Sequence, residues 1–328
     1  MNSTLQFFVR DSIEDLKMAI PKNFTKDERQ ETEGGLFYYS EELTRKIFGE
    51  LIFLSVLNIF LSVTTFLGNT LILAALPKET SLHPPSKLLF RNLAITDLCV
   101  GIIAEPLLVA YLMSLVKQRW DICYYLDYAG LAIGAILCSV SLLTLTAISV
   151  DRVLALSLGL RYRQVATLKK ACISVITMWV ISVVIGAAVY FLLGTVIFDW
   201  SMFILISLCV VISGLCYTKI FFVLRRSQIR LEDSSFQGPT EVMKIPLNLA
   251  RYRKAVYSAL WVQVTLVVCY LPFGLATAIP EFSLSVYLMT LTLLLSNSSL
   301  NPLLYCWKIR EVRQAVKDTV RHLFSSSS

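Results

Sequence analysis

Charged side chains are scarce in this chain: they account for 16% of its 328 residues, whereas hydrophobic residues account for 56%. Soluble domains typically carry about 25% charged residues, so this composition argues against an ordinary soluble protein. Only two histidines are present, His83 and His322, and they stand far apart in the sequence. The sequence therefore supports neither a histidine metal cluster nor histidine-dependent catalysis, and we expect no enzyme activity.

Cysteines that could pair outside a membrane are also lacking. Seven of the eight fall within apolar stretches or at their ends, and only Cys123 is predicted to lie near an outer face. We therefore expect no disulfide there. A cleavable leader is not visible either, because Asp11, Glu14 and Asp15 interrupt the first residues. We expect the first apolar stretch to act as the insertion signal.

What the chain has instead is a series of long uncharged stretches. Each is long enough to cross a hydrocarbon core of about 30 Å as a helix. Six of them cover residues 51–77, 128–150, 171–198, 200–218, 255–280 and 282–307. A seventh stretch, 92–116, contains only two charged residues, Asp97 and Glu105, and acids within such a segment are usually functional. The pattern predicts an all-α membrane protein, a bundle of seven transmembrane helices.

The distribution of basic residues predicts the orientation of the bundle. With an outer amino terminus, 21 of the 30 Lys and Arg residues fall on the cytosolic side, as the positive-inside rule requires. We therefore predict a multi-pass plasma-membrane protein with a cytosolic carboxyl terminus. The net charge of +7 is interpreted as a topology signal and not as a sign of nucleic-acid binding. The predicted regions are an extracellular segment (1–46), the seven-transmembrane domain (47–307) and an amphipathic helix with a short tail (308–328).

The two terminal regions carry signals of their own. Asn2 and Asn23 each begin a glycosylation acceptor triplet in the extracellular segment. After the last span, Ile309, Val312 and Val316 recur at steps of three and four residues. That spacing predicts a short amphipathic helix on the inner leaflet of the membrane.

Short motifs occur in most of the spans. In chain order they are Gly68-Asn69, Leu93-Ala94-Ile95-Thr96-Asp97, Asp151-Arg152-Val153, Trp179, Tyr217, Cys269-Tyr270-Leu271-Pro272-Phe273 and Asn301-Pro302-Leu303-Leu304-Tyr305. In this order and topology they resemble the motifs of rhodopsin-like (class A) G protein-coupled receptors, over about residues 48–322. The resemblance implies a receptor that transmits binding of an extracellular ligand to a heterotrimeric G protein, with arrestin and receptor kinase as further partners. An ion channel or transporter using the intramembrane Asp97 is the alternative.

Departures from the family pattern narrow the subgroup. Asp127 stands where span three usually begins with a cysteine, Cys209 replaces the span five proline, and only Asp199 separates spans four and five. These features resemble the cluster of melanocortin, lysolipid, cannabinoid and adenosine receptors. Leu131 stands where the calcium and peptide site of the melanocortin type would need a further acid, so we do not expect calcium to assist ligand binding.

Two prolines predict where the helices can move. Pro272 in span six and Pro302 in span seven each remove a backbone hydrogen bond and so favour a kink. By resemblance, Arg152 pairs with Asp151 at rest and contacts the G protein in the active state. The other residues of this predicted coupling switch are Val153, Tyr217, Tyr270, Asn301 and Tyr305. Residues 251–254, at the start of span six, contain no acid that could also hold Arg152, so we expect raised basal signalling.

Asp97 is predicted to lie about 15 Å deep in the membrane, since it follows Lys87 by ten residues at 1.5 Å each. Ser141, placed eleven residues before Arg152, reaches a similar depth in span three. The resemblance implies no required cofactor but an allosteric sodium site formed by Asp97, Ser141, Asn297 and Asn301. A carboxyl group that its surroundings keep neutral is the alternative.

The outer half of the spans holds the predicted ligand pocket. Its predicted residues are Glu105, Asp127, Gly134, Ala135, Cys138 and Phe273. By resemblance, Gly134 stands where amine receptors carry an aspartate and Leu295 where opsins carry the retinal-binding lysine, so the sequence argues against both ligands. The apolar residues of span three suit a lipid, a nucleoside-like molecule or a peptide side chain. Close packing of small residues between helices explains them equally well.

Overall fold

Seven apolar helices account for the predicted spans. The structure, a computed structural model, describes residues 41–78, 82–189, 195–234, 261, 264–279, 283–308 and 313–314. The helices are α1 (Phe48–Ala75), α2 (Pro84–Val116), α3 (Trp120–Leu158), α4 (Leu168–Val183), α5 (Thr195–Ser234), α6 (Val264–Ala278) and α7 (Leu284–Lys308). Short helices at Glu41–Lys46 and Tyr162–Val165 complete the described α-helices. All regular elements within these ranges are helical, and the prediction of an all-α seven-helix bundle is confirmed.

Polarity in the bundle is arranged as a lipid environment favours. Helices α1 to α5 are long and apolar enough to cross a membrane, and α6 is a shorter apolar helix in its described part. Large apolar side chains face outward, as at Phe60 and Leu215, which are 64% and 66% exposed. Polar groups such as Asn58, Thr96 and Asp97 are fully buried between the helices. A lipid solvent places polar side chains in the interior of the bundle in this way.

Local sequence explains where several helices begin and end. Pro84 and Pro85 occupy the first positions of α2, where the missing N–H of proline costs no helical hydrogen bond. Gly159 has a positive φ of 51° directly after α3, a conformation that glycine adopts without strain. The Thr167 hydroxyl caps α4 by accepting a hydrogen bond of 3.4 Å from the Lys170 N–H.

A π-helical turn at Val100–Ala104 interrupts α2. The turn lies against α1, because the Ser62 hydroxyl donates a 2.7 Å hydrogen bond to the Gly101 carbonyl. A Cβ added at Gly101 would come within 3.0 Å of the Thr65 side chain, so glycine allows this close approach. An extra residue in one turn rotates all following side chains relative to the preceding ones. The turn therefore separates the facing directions of Asp97 and Glu105.

Buried amides fix the neighbouring helices. The Asn92 amide of α2 donates to the Thr144 hydroxyl of α3 at 2.8 Å and accepts from the Trp179 indole of α4 at 3.0 Å. The Asn69 amide of α1 donates to the Ser298 carbonyl of α7 at 3.1 Å. These bonds explain why Asn69 in α1 and Asn92 in α2 are buried and why the partly buried Trp179 stands in α4.

Some sequence predictions need correction or lie elsewhere. Asp199 was predicted to separate spans four and five, but it lies within α5, which the structure describes from Thr195. A single acid does not end a helix when the flanking residues are apolar. Four predictions fall outside the described residues: glycosylation at Asn2 and Asn23, the amphipathic helix from Ile309, the acid-free stretch 251–254 and the side-chain position of Tyr305.

Candidate functional site

Asp97 lies at the centre of a polar cluster between α2, α3 and α7. Its side chain is fully buried. One carboxylate oxygen, Oδ1, accepts hydrogen bonds from the Ser141 hydroxyl at 3.1 Å and the Ser298 hydroxyl at 2.9 Å. The other, Oδ2, accepts from the Asn301 amide at 2.8 Å. Three donors from two helices thus surround one buried carboxyl group, which is how proteins accommodate an acid at this depth.

Asn297 and Asn301 leave polar atoms of this region without a partner. The Asn301 Oδ1 and the Asn297 Nδ2 are buried and make no hydrogen bond within the described residues. Buried polar atoms are almost always paired, so an unpartnered pair beside a carboxylate marks a place for an ion or a water molecule. Ser298, which the sequence reasoning missed, contacts Asp97, whereas no Asn297–Asp97 hydrogen bond occurs. Ser298 precedes Asn301 by three residues and so shares its helix face, which could have identified it.

An apolar cavity opens between α2, α3, α5, α6 and α7. About 690 Å³ of space free of protein atoms, part of it open to solvent, lies between these helices. Five of the six predicted pocket residues line it: Asp127, Gly134, Ala135, Cys138 and Phe273. Leu295 lines it as well.

Glu105 is the exception and needs correction. Its side chain is fully buried, and Oε1 accepts a hydrogen bond of 3.3 Å from the Thr65 hydroxyl of α1. The preceding residue, Ala104, lines the cavity, but Glu105 does not. The π-helical turn before Glu105 rotates it toward α1, a change of register that the sequence pattern did not reveal.

The cavity and the Asp97 cluster are joined along α3 and α6. The Tyr270 hydroxyl of α6 donates to the Cys138 carbonyl at 3.4 Å, and the side chain of Cys138 lines the cavity. Ser141, three residues further along α3, donates to Asp97. Pro302 follows Asn301 directly and packs against α1, where a Cβ on Gly68 would lie 3.0 Å from the proline ring. A shift of α3 or α7 would therefore change the hydrogen bonds that the buried Asp97 carboxylate accepts.

The inner end of α3 differs from the prediction. Asp151 accepts hydrogen bonds from the Tyr162 hydroxyl at 2.6 Å and the Ser86 hydroxyl at 2.7 Å. Arg152 lies over the Phe90 ring at 5.5 Å and forms no ion pair with Asp151, so the predicted resting pair is wrong for this structure. Successive residues of a helix point about 100° apart, and this separates the two side chains.

Tyr162 and Tyr217 complete the inner end. Burial and the hydrogen bond to Asp151 raise the pKa of Tyr162 to about 12, so its hydroxyl stays protonated and donates at neutral pH. Tyr217 of α5 accepts a 2.9 Å hydrogen bond from the Ser149 hydroxyl and packs against Val153. The residues of α3 that flank Arg152 are thus held by α2, by the helix after α3 and by α5.

Comparison with known proteins shows which family and which relatives the chain is similar to. Residues 68–199 match the family described as 7 transmembrane receptor (rhodopsin family). The human 5-hydroxytryptamine receptor 1E is 31% identical over 128 residues, 39% of this chain and 34% of that receptor. The sheep adenosine receptor A3 is 25% identical over 291 residues, 78% of this chain and 86% of that receptor. Over residues 68–199 the chain is thus similar to the rhodopsin-like receptor family.

The similarity of the chain to these relatives is uneven along its length. The rat 5-hydroxytryptamine receptor 1F is 32% identical over 148 residues, 45% of this chain and 39% of that protein. The chain thus spans little more than a third of the length of the serotonin receptors. The family match includes Asp97, Trp179 and the Asp151-Arg152-Val153 motif, and it ends at Asp199. Together with the apolar helices, these matches indicate a multi-pass membrane protein.

Two features of the candidate site, the contacts of Asp151 and the place of Asp199, had no usable signal in the sequence. Ser86 and Tyr162 lie on different sides of Asp151 in the chain, and only the packing of α2 against α3 brings them together. Asp199 lines the cavity, although its sequence position suggested a loop. Both cases depend on tertiary packing, which residue spacing within one helix does not report.

Proposed function

We propose that this receptor transmits binding of an extracellular ligand in the α2–α7 cavity to a heterotrimeric G protein at its cytosolic end. The observation that carries the proposal is the link from the cavity to the buried carboxylate through Cys138, Tyr270 and Ser141. A ligand shifts such a receptor only if it binds the active packing better than the resting packing. The cavity offers a place for that difference, and Pro302 beside Asn301 offers a point where α7 can bend.

Arg152 is proposed to contact the G protein. It is only partly buried and is held by a cation–π contact with Phe90 instead of an ion pair, a contact worth about 0.5–1 kcal/mol where solvent reaches it. The weak restraint supports raised basal signalling. Second-messenger output above that of mock-transfected cells, without added ligand, is the expected result, and output equal to mock would contradict it.

The alternative of an ion channel or transporter rests on Asp97 alone. Its carboxylate is fully buried and engaged by three donors, an arrangement that suits a structural or regulatory site better than a conduction path. Ligand-independent ionic current that depends on Asp97 would favour the alternative.

The receptor is proposed to bind sodium beside Asp97. The Asp97 carboxylate supplies negative charge, and the unpartnered Asn301 Oδ1 is an additional oxygen that could coordinate a cation. Ser141 and Ser298 place their hydroxyls on the same carboxylate oxygen. These groups fit a small cation, whose charge would offset that of the buried acid. Asn297 is included in the proposed site because of the sequence resemblance, since its unpartnered atom, Nδ2, is a donor that does not coordinate a cation.

The topology, partners and processing are proposed as the sequence indicates. The amino-terminal segment 1–46 is extracellular and glycosylated at Asn2 and Asn23, and the carboxyl-terminal region 308–328 is cytosolic in a plasma-membrane receptor. Arrestin and a receptor kinase are further proposed partners. The ligand classes proposed from Gly134 and the apolar lining are lipids, nucleoside-like molecules and peptides, and the similarity to an adenosine receptor supports testing nucleosides early.

A second-messenger screen in transfected cells tests the proposal. Lipid, nucleoside and peptide collections would be applied to cells expressing the receptor or its Arg152→Ala variant, with surface expression measured for both. Arg119→Ala is the matched control, because Arg119 lies at the outer end and pairs with Asp121 at 3.5 Å. Loss of response in Arg152→Ala alone is expected. An unchanged response in that variant would contradict the assigned role.

A further inference from the structure

Acidic residues line the cavity without basic ones in the part of the chain that the structure describes. Asp127 on α3 and Asp199 on α5 are the acidic lining residues there. The remaining described lining is aliphatic and aromatic, apart from the hydroxyls of Tyr111 and Thr277 and the thiol of Cys138. An apolar cavity with two acidic residues and no basic residue in its described lining is complementary to a positively charged molecule.

The two acids lie on different helices. Phe198 and Met202, on either side of Asp199 on α5, form one packed cluster with Ala135 of α3, and Tyr128 and Leu131 of α3 pack against this cluster. Asp199 is therefore level with the two turns of α3 from Tyr128 to Ala135. Asp127 directly precedes Tyr128 and so lies at the outer edge of this stretch.

Open space adjoins the stretch of α3 that is level with Asp199. Gly130 and Gly134 both line the cavity on α3, one turn apart. A Cβ added to either glycine would meet no atom within 4 Å. The absence of these side chains leaves room for a bulky apolar group between α3 and the turn of α5 that carries Asp199.

The lining distinguishes an organic cation from a metal ion. Calcium requires six to eight oxygen ligands at 2.3–2.6 Å, and the described lining offers side-chain oxygens from two carboxyl groups on different helices and two hydroxyls. An ammonium or guanidinium group needs a single carboxylate and can carry an apolar body that fills the remaining space. The lining therefore favours an organic cation over a calcium ion.

We propose that the cavity selects an organic cation, whose ammonium or guanidinium group pairs with Asp199 and whose apolar body occupies the space beside Gly130 and Gly134. Asp127, at the outer edge of that stretch of α3, attracts the same positive charge. The inference rests on the proposed receptor function and narrows its ligand classes to molecules that carry a positive charge, such as a peptide with a lysine or arginine side chain. Gly134 stands where amine receptors carry an aspartate on α3, and Asp199 supplies a carboxyl group from α5 instead.

Three probes with one apolar body and different head groups test this selection. They are 4-(biphenyl-4-yl)butylamine, the corresponding alcohol and 4-(biphenyl-4-yl)butanoic acid. The readout is the unfolding temperature of the purified receptor against probe concentration, since a bound ligand stabilises the folded state by mass action. The amine should raise this temperature at concentrations at least ten-fold lower than the alcohol, and the acid should have no effect. Equal behaviour of amine and alcohol, including no effect from either, overturns the proposal.

Variants assign the charge selection to Asp199. Asp199→Asn should remove the advantage of the amine over the alcohol, and Asp199→Glu should retain it. Asp121→Asn is the matched control, because this carboxylate at the start of α3 is 68% exposed and absent from the cavity lining. An amine advantage that survives Asp199→Asn overturns the assignment. The comparison of probes on the unaltered receptor holds even if a variant fails to fold.

Failure of the proposed receptor function would be visible separately. Probe binding is measured without a G protein, so Arg152→Ala should leave the amine-induced shift unchanged. A receptor that binds the amine selectively but activates no G protein would refute the coupling and preserve the cation site. A receptor that activates a G protein but shows no amine selectivity would refute the cation site and preserve the coupling.

Discussion

Replacement of Asp97 tests whether its three hydrogen bonds hold α2, α3 and α7 together. In Asp97→Asn, the new amide oxygen still accepts from Ser141 and Ser298. The Asn301 amide can rotate by 180° and present its unpartnered Oδ1 to the new NH2 group. All three interhelical hydrogen bonds therefore survive in the asparagine variant, whereas Asp97→Ala leaves three buried donors without an acceptor.

The magnitude follows from comparing the two variants with each other. Both remove the buried acid, so any cost of burying its charge cancels in the difference. An unsatisfied buried donor costs about 1–3 kcal/mol, so three donors give a difference of about 3 kcal/mol as a lower bound. At roughly 2 °C per kcal/mol for larger domains, the alanine variant should unfold at least about 6 °C below the asparagine variant.

Thermal unfolding of the purified variants in one detergent, followed with a thiol-reactive dye, measures this difference. Asp97→Asn should unfold at or above the temperature of the unaltered receptor. Equal unfolding temperatures for the asparagine and alanine variants would refute the reasoning, because the hydrogen bonds would then contribute nothing.

Four further predictions follow from the geometry. Replacing sodium with potassium in the buffer should lower the unfolding temperature of the unaltered receptor but not that of Asp97→Asn. Equal responses of the two proteins would exclude a sodium site at Asp97. Tyr162→Phe removes a 2.6 Å bond to Asp151 and should destabilise by about 1.5–3 kcal/mol. Because the pKa of Tyr162 is raised to about 12 from about 10, this contribution is complete below pH 10 and is lost as the pH rises through 12, as unfolding against pH would show. Gly68→Ala should lower the unfolding temperature, because the added methyl group would press against Pro302. Gly214→Ala, which has open space around the added methyl group, should leave the unfolding temperature unchanged. Glu105→Gln should leave probe binding unchanged, since Glu105 lies outside the cavity lining, and altered binding would restore it to the site.

Spacing along one helix predicted much of the geometry at Asp97. The rise per residue brings Asp97 and Ser141 to a common depth, and the structure has 3.1 Å between their side-chain oxygens. The seven apolar stretches likewise indicated the bundle, because each stretch is a property of consecutive residues. Pro302 beside Asn301 predicted where α7 can bend for the same reason.

Contacts that depend on irregular backbone or on packing could not be predicted in this way. The π-helical turn at Val100–Ala104 changes the direction of Glu105, and no residue pattern in α2 announces an extra residue. Asp151 meets Tyr162 because the chain turns at Gly159, and Asp199 reaches the cavity because α5 packs against α3. These features come from relations between elements, which a single sequence does not contain.

Nucleotide exchange on purified heterotrimeric G proteins is the most direct test of the central claim. The receptor would be reconstituted in nanodiscs and combined with representatives of each G protein class, with and without the biphenyl amine. Exchange above the rate of empty nanodiscs, lost in Arg152→Ala and retained in Arg119→Ala, is the predicted result. Exchange indistinguishable from empty nanodiscs with every G protein class, or equal in Arg152→Ala and the unaltered receptor, would contradict the account.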